Sequence, residues 1–235
     1  VQIRSIVWPV RRPLQLLGIL GGCLIAAFAA AHGIEGADQE FLINNRGTNI
    51  GPFIYLGAKH MVTGYDHLLF LAGVVFFLYR LKDVALYVTL FAVGHSTTLL
   101  LGVLGGLHMN AYIIDAIIGF SVVYKAFENM GGFKKLGIAP NMKAAVLIFG
   151  LFHGFGLATK LQDFALARDG LIANMIAFNV GVEIGQFVAL TLILLVFNAW
   201  RAAGSFERSA FATNALIMCA GFMLIGYQLT GYFVA

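Results

Sequence analysis

The sequence predicts an all-α fold: a polytopic membrane helix bundle of about seven transmembrane helices, forming one transmembrane domain over residues 1–235, N-terminus cytoplasmic and C-terminus outside. Three observations predict it. The chain is 60% hydrophobic and 11% charged, with 28 glycines and 21 phenylalanines, where soluble domains run at roughly 45–50% apolar and 25% charged. Its apolar runs recur at about the 20 residues that a tilted helix needs to cross a bilayer. Its basic residues fall unevenly between the loops.

In order, residues 14–31 follow Arg4, Arg11 and Arg12 and end in Ala29-Ala30-Ala31. They read as a first, retained span, although a basic flank, an apolar stretch and a small-residue exit also describe a secretory signal peptide. Residues 32–58 begin polar, with Glu35, Asp38, Glu40 and Arg46, and turn apolar at Pro52-Phe53-Ile54-Tyr55-Leu56. An external loop with a short amphipathic or interfacial piece is expected there. Further spans follow at about 65–79, 84–104, 111–129, 143–161, 171–200 and 210–233, and the motif-bearing core runs over about 60–199. With the N-terminus inside, Arg46, Lys59, Lys160 and Arg168 are outer and the other eleven of the fifteen Lys and Arg residues are inner. Positive charge retained on the cytoplasmic side is the asymmetry that sets orientation.

Other classes fall away. The basic residues form no stripe interleaved with aromatics, so nucleic acid is not a partner. There is no G-x4-G-K-[ST] phosphate loop, hence no nucleotide. Cys23 and Cys219 both lie in apolar runs, which leaves neither a disulfide framework nor a C-x-x-C metal site.

The stretch that organises the chain is His60-Met61-Val62-Thr63-Gly64-Tyr65-Asp66-His67, an H-x5-D-H spacing at the mouth of an apolar run. Ionisable groups at the edge of hydrocarbon are costly and commonly bind or pass an ion, and imidazole with carboxylate is transition-metal ligand chemistry. The plainer reading is a His–Asp hydrogen bond that seats a helix end. On one continuous helix His60 and His67 would share a face but stand about 10 Å apart along the axis, too far for one ion bonded at about 2 Å. Either Gly64 breaks the helix and folds His60 back, or the two imidazoles are successive stations.

Polar residues recur inside the later spans. His95 lies in Gly94-His95-Ser96-Thr97-Thr98, and His153 in Phe152-His153-Gly154-Phe155-Gly156, where flanking glycine lets another helix approach closely. Asn179, Glu183 and Gln186 are spaced i, i+4, i+7 and so share one helix face. Glu183 is expected to face the bundle interior. Asn179 and Gln186, like Ser96 and Thr98, support the site or serve as helix–helix glue at about 0.6 kcal/mol per hydrogen bond. His95, His153 and Glu183 on three helices suggest one shared polar site, as when ligands converge on facing bundle helices. Lys125 and Glu128 at i, i+3 read as an ion pair. Glu128 with Asn129 marks a candidate inner exit, and Asp115 reads as a solvated or capping residue.

Taken together, His60…Asp66-His67-Leu68-Leu69-Phe70-Leu71, Gly94-His95-Ser96-Thr97-Thr98-Leu99, Ser121-Val122-Val123-Tyr124 with Glu128-Asn129, Phe152-His153-Gly154-Phe155-Gly156-Leu157-Ala158, and Phe178-Asn179 with Gly181-Val182-Glu183 and Gly185-Gln186 resemble the HupE/UreJ family of nickel permeases, and more closely its HupE/UreJ-like branch. The resemblance implies a membrane protein linked to metal import, with the H-x5-D-H and F-H-G elements as the metal pathway. The nickel permeases proper carry a histidine- and glutamate-richer version of the latter; here Phe155 and Gly156 follow His153-Gly154 without a second histidine.

The resulting expectation is a transition-metal permease, not an enzyme and without catalytic residues, integral to a bacterial-type inner (cytoplasmic) membrane. It takes an ion from outside at His60, Asp66 and His67, and passes it inward by His95, His153 and Glu183. Nickel leads, with copper, cobalt or zinc as alternatives; His60-Met61 and His108-Met109 keep copper open because thioethers suit Cu(I). Partners are lipid, the metal ion and a homo-oligomer or larger complex. Two other classes remain: an accessory or structural subunit of a membrane oxidoreductase complex, and an intramembrane metal hydrolase. The last needs three ligands on one ion beside a carboxylate base, and histidines spread over different depths argue against it.

Overall fold

The computed structural model describes residues 37–164 and 168–235, and every regular element among them is a helix. These are α1 (Ala37–Asn44), α2 (Ile50–Thr63), α3 (Tyr65–Val75), α4 (Leu81–Gly105), α5 (Ala111–Asn129), α6 (Gly132–Lys135), α7 (Met142–Gln162), α8 (Leu171–Ala202) and α9 (Phe206–Val234). Helices α4, α7, α8 and α9 are each long and apolar enough to cross a membrane, and a polytopic helical bundle results. The expected first span, 14–31, and His32 lie outside the described residues.

Local chemistry sets the helix ends. The Asn110 side chain accepts the Ile113 N–H at the start of α5, and Asn141 accepts Lys143 and Ala144 N–H at the start of α7. Each bond satisfies a donor that the first helical turn leaves without a partner. Helix α4 ends at Gly106, whose φ of 64° lies in the left-handed region that suits glycine.

Helices pair along stripes of small residues. On α8, Ala177, Gly181, Gly185 and Ala189 are all buried. A Cβ on Gly57 of α2 would run into the Phe178 carbonyl, and one on Gly181 into the Ile54 carbonyl. The two backbones are therefore in contact, as small-xxx-small interfaces allow. Helices α4 and α7 meet in the same way: a Cβ on Gly94 would stand 2.5 Å from the Leu147 oxygen, and one on Gly102 2.5 Å from the Ala158 Cβ. Contacts advance together along both members of each pair, so α2 runs parallel to α8 and α4 parallel to α7. Helix α5 runs antiparallel to α9, with Tyr112 beside Gly231, Val123 beside Gly221, and Asn129 bonded to Asn214 at 2.9 Å.

The second span needs correction. Residues 50–58, expected in an amphipathic or interfacial piece, form the first turns of α2, which carry Phe53, Leu56 and Gly57 into the core and leave Ile50, Pro52 and Tyr55 exposed. Pro52 looks like a breaker in sequence but falls in the first turn of α2, where its missing N–H costs nothing. Beyond Gly64 the chain continues as α3, shorter than the expected 65–79. Its end lies beside the end of α8, where Arg201 Nη2 donates to the Phe76 carbonyl at 2.6 Å. From Asn49, whose N–H is held by Asn174 at 2.8 Å, to Phe76, α2 and α3 together follow α8 nearly end to end. They make one discontinuous segment, broken at Gly64.

Candidate metal centre

The break at Gly64 decides the geometry. Its φ of −69° and ψ of 99° are extended, its N–H closes α2 on the His60 carbonyl at 2.8 Å, and α3 starts anew at Tyr65. A Cβ there would stand 2.9 Å from the His60 oxygen, 3.1 Å from His67 Nδ1 and 3.2 Å from Asp66 Oδ1, so a bulkier residue would crowd the groups on both sides. The turn folds His60 back against His67, with ring centroids 5.1 Å apart. Of the two alternatives open from spacing alone, this is the first.

His67 becomes the hub of four imidazoles from four helices. Its ring lies 5.1 Å from His60 on α2, 5.6 Å from His95 on α4 and 4.8 Å from His153 on α7. His95 and His153 are fully buried and His67 nearly so. Ligand-capable atoms of His60, His67 and His95 lie within 4.8 Å of one another. Nitrogens bound to one ion at about 2 Å stand roughly 3–4 Å apart, so a modest inward movement of the rings would complete such a set.

Their hydrogen bonds orient them. Asp66 Oδ1 accepts the His67 backbone N–H at 2.8 Å and lies 2.9 Å from His67 Nδ1. As the carboxylate can only accept, Nδ1 carries the proton and Nε2 keeps a free lone pair, the arrangement of a carboxylate–histidine–metal triad. Asp66, expected as a ligand, is thus engaged with His67. His153 Nδ1 donates to the Phe149 carbonyl at 2.7 Å, which also leaves its Nε2 lone pair free. The Nε2 atoms of His60, His67 and His153 and both ring nitrogens of His95 are buried without a hydrogen-bond partner among the described residues. Each such atom costs about 1–3 kcal/mol unless something binds it, and a cation taking their lone pairs removes that cost. A wall of phenyl rings encloses the cluster: Phe91 lies 5.0 Å from His153, Phe70 5.4 Å from His153, and Phe178 6.4 Å from His60.

The other expected site residues fall elsewhere. Glu183 is exposed and lines an open groove with Val88, Thr89, Ala92, Val93 and Ser96; Ser96 Oγ donates to it at 3.5 Å. On a helix it lies about 60° round from Gln186, at the edge of the buried face and not its centre. Gln186 Nε2 donates to the Val88 carbonyl at 3.2 Å, and the Asn179 amide is buried with both atoms unpartnered among the described residues. Thr98 Oγ1 donates to the Leu151 carbonyl at 2.6 Å and ties α4 to α7. Glu128 pairs with Lys125, as the spacing suggests. Asn129 donates to the Gly73 carbonyl and to Asn214 Oδ1, both at 2.9 Å, which is helix glue.

Sequence reasoning missed a partly buried ion pair. Asp115, read as solvated or capping, is buried and accepts from Lys160 Nζ at 2.8 Å and from Gln228 at 3.3 Å. The cost argument applied to Glu183 applies equally to an aspartate inside an apolar run and would have found it.

Fold and site together define a polytopic helical membrane protein with a buried cluster of imidazoles among its helices. The chain belongs to the HupE/UreJ family: the model of the HupE / UreJ protein matches residues 36–235. That family is one of metal-transport-related membrane proteins. No curated protein and no solved structure matches the chain.

Proposed function

We propose that this protein is a transition-metal permease whose substrate ion, nickel or cobalt foremost and copper or zinc as alternatives, passes inward through the cluster of His60, His67, His95 and His153. One observation carries the reading: four imidazoles from four helices converge in a buried centre with unpartnered nitrogens. An ion leaving water there exchanges its hydration shell for imidazole nitrogens, which suit nickel, copper, cobalt and zinc. Asp66, behind His67, supplies negative charge without occupying a coordination position. A discontinuous segment at a substrate site is a recurrent device of transporters, where irregular backbone is tolerated because it lines the site.

The test is uptake of Ni²⁺ and Co²⁺ into proteoliposomes holding the full chain, with metal-dependent thermal stabilisation measured alongside. At a concentration one hundred times Kd the bound ion adds about 2.7 kcal/mol of stability. The His67→Ala protein should remain folded and lose both effects. Uptake by that variant at the wild-type rate would end the proposal.

One observation favours the accessory-subunit reading. Glu183 opens outward beside the exposed apolar residues Val93, Val180, Ile184 and Phe187, a place where a carboxylate wants a protein neighbour more than lipid. Copurification of a stoichiometric oxidoreductase without metal uptake by the isolated chain would support it. The hydrolase gains from the gathered histidines, but Asp66, the acid beside them, is committed to His67.

A further inference from the structure

A layer of three phenylalanines lies on one side of the histidine cluster, and the helix directions put it there. Helix α3 runs toward the end of the bundle that carries Arg80, Lys82 and Arg201, and Phe70 follows His67 by three residues. Helices α4 and α7 run away from that end, and Phe91 and Phe149 precede His95 and His153 by four. One helical turn therefore sets each phenyl ring on the same side of its own imidazole, toward the basic end. The rings meet: Phe70 lies 5.4 Å from Phe91 and 5.9 Å from Phe149, and all three are buried. Beyond them Tyr124 packs on Phe149 at 5.3 Å, and polar groups return with the Lys125–Glu128 pair and Asn129.

We propose that Phe70, Phe91 and Phe149 are the closed inner barrier of the permeation path and decide what passes from the histidines to the cytoplasm. Three apolar rings offer a cation nothing in exchange for its ligands, and a constriction of this kind excludes water by dewetting. Water, protons and hydrated ions are kept out by the same layer. An ion held by the imidazoles moves on only when the helices shift enough to part the rings. Because the phenyl positions are locked to the imidazoles by one turn of each helix, a movement that pulls the ligands apart also opens the barrier.

The barrier rests on reading the histidines as the metal site, so the experiment has a readout that does not. Full-length wild-type, Phe70→Ala and Phe91→Ala proteins are reconstituted, and proton leak is followed with an internal pH dye in the absence of metal. Co²⁺ binding is titrated separately in detergent. The alanine variants are expected to raise proton leak at least tenfold and passive Co²⁺ flux similarly, with Co²⁺ affinity within about threefold of wild type. Phe149→Trp, which adds bulk, is expected to lower Co²⁺ flux without loss of binding. Folded variants with wild-type leak and wild-type flux overturn the barrier. If the alanine variants fail to fold, Phe91→Leu takes their place with the same expected direction and the same overturning result. A wild-type protein that binds no Co²⁺ or Ni²⁺ overturns the metal-site reading instead, and in that case the proton leak alone decides the barrier.

Discussion

Removing Asp115 and removing Lys160 should change metal affinity in opposite directions. Lys160 follows His153 by seven residues on α7, on nearly the same face and about 10 Å farther along the axis. A divalent ion and one ammonium about 10 Å apart repel by about 3 kcal/mol at an effective dielectric constant near 20. In the folded protein the Asp115 carboxylate, 2.8 Å from the ammonium, cancels most of that. Asp115→Asn removes the cancelling charge and keeps an oxygen for Gln228; Lys160→Met removes the ammonium and keeps its apolar stem. The Lys160 side chain is 40% exposed, and screening at such a site reduces the effect to about 1.4 kcal/mol, or tenfold in Kd. Calorimetric titration with Co²⁺ in detergent should therefore show Asp115→Asn about tenfold weaker, Lys160→Met about tenfold tighter, and the double variant within about twofold of wild type. If both single variants weaken binding, the pair merely holds α5 against α7 and the electrostatic reasoning is refuted.

Three further outcomes follow from the geometry. Asp66→Asn leaves His67 without its carboxylate and should weaken Co²⁺ binding by about 10–100-fold, the usual effect of losing an orienting partner; an unchanged Kd would mean that the ring is held by packing alone. Gly154→Ala directs a Cβ at the His95 carbonyl and Thr98 Oγ1, so α7 must move off α4 at a cost of about 1–3 kcal/mol, visible as a lower midpoint of thermal unfolding. An unshifted midpoint would show that the interface is looser than its contacts. Glu183→Gln, whose carboxylate faces the groove with Ser96, should leave Co²⁺ affinity within about twofold, and a tenfold loss would return Glu183 to the path of the ion.

The long spans were legible because composition and length act along the chain alone. Helix α5 runs over the residues expected of it, and α4, α7 and α8 extend at most three residues beyond theirs at either end. The discontinuous segment was not, since α2 has only 14 residues, begins with a proline in its first turn and follows a polar loop. Its burial comes from Gly181 and Gly185, more than a hundred residues away in sequence. The histidines were found by type and cost, yet how far they converge depends on parallel packing that no local pattern reveals. Asp66 and Glu183 show the limit from the other side. Spacing marked both as acids beside a site, and only hydrogen-bond partners distinguish an orienting acid from one that opens onto a groove.

Gly64 offers the sharpest separation of stability from function. Alanine is about 1 kcal/mol better than glycine in a helix interior, so Gly64→Ala favours joining α2 to α3 in one continuous helix. On such a helix His60 and His67 would stand about 10 Å apart along the axis, against ring centroids 5.1 Å apart now. The added methyl would also press on His67 Nδ1 and Asp66 Oδ1, at 3.1 and 3.2 Å, and loosen the contact that keeps the Nε2 lone pair free. Co²⁺ affinity should fall at least tenfold while the midpoint of metal-free thermal unfolding stays level or rises. Equal losses of affinity and stability would mean that the break serves folding alone. A variant that kept both its affinity and its midpoint would show that His60 reaches the ion without the turn, and the discontinuity would then have no part in building the centre.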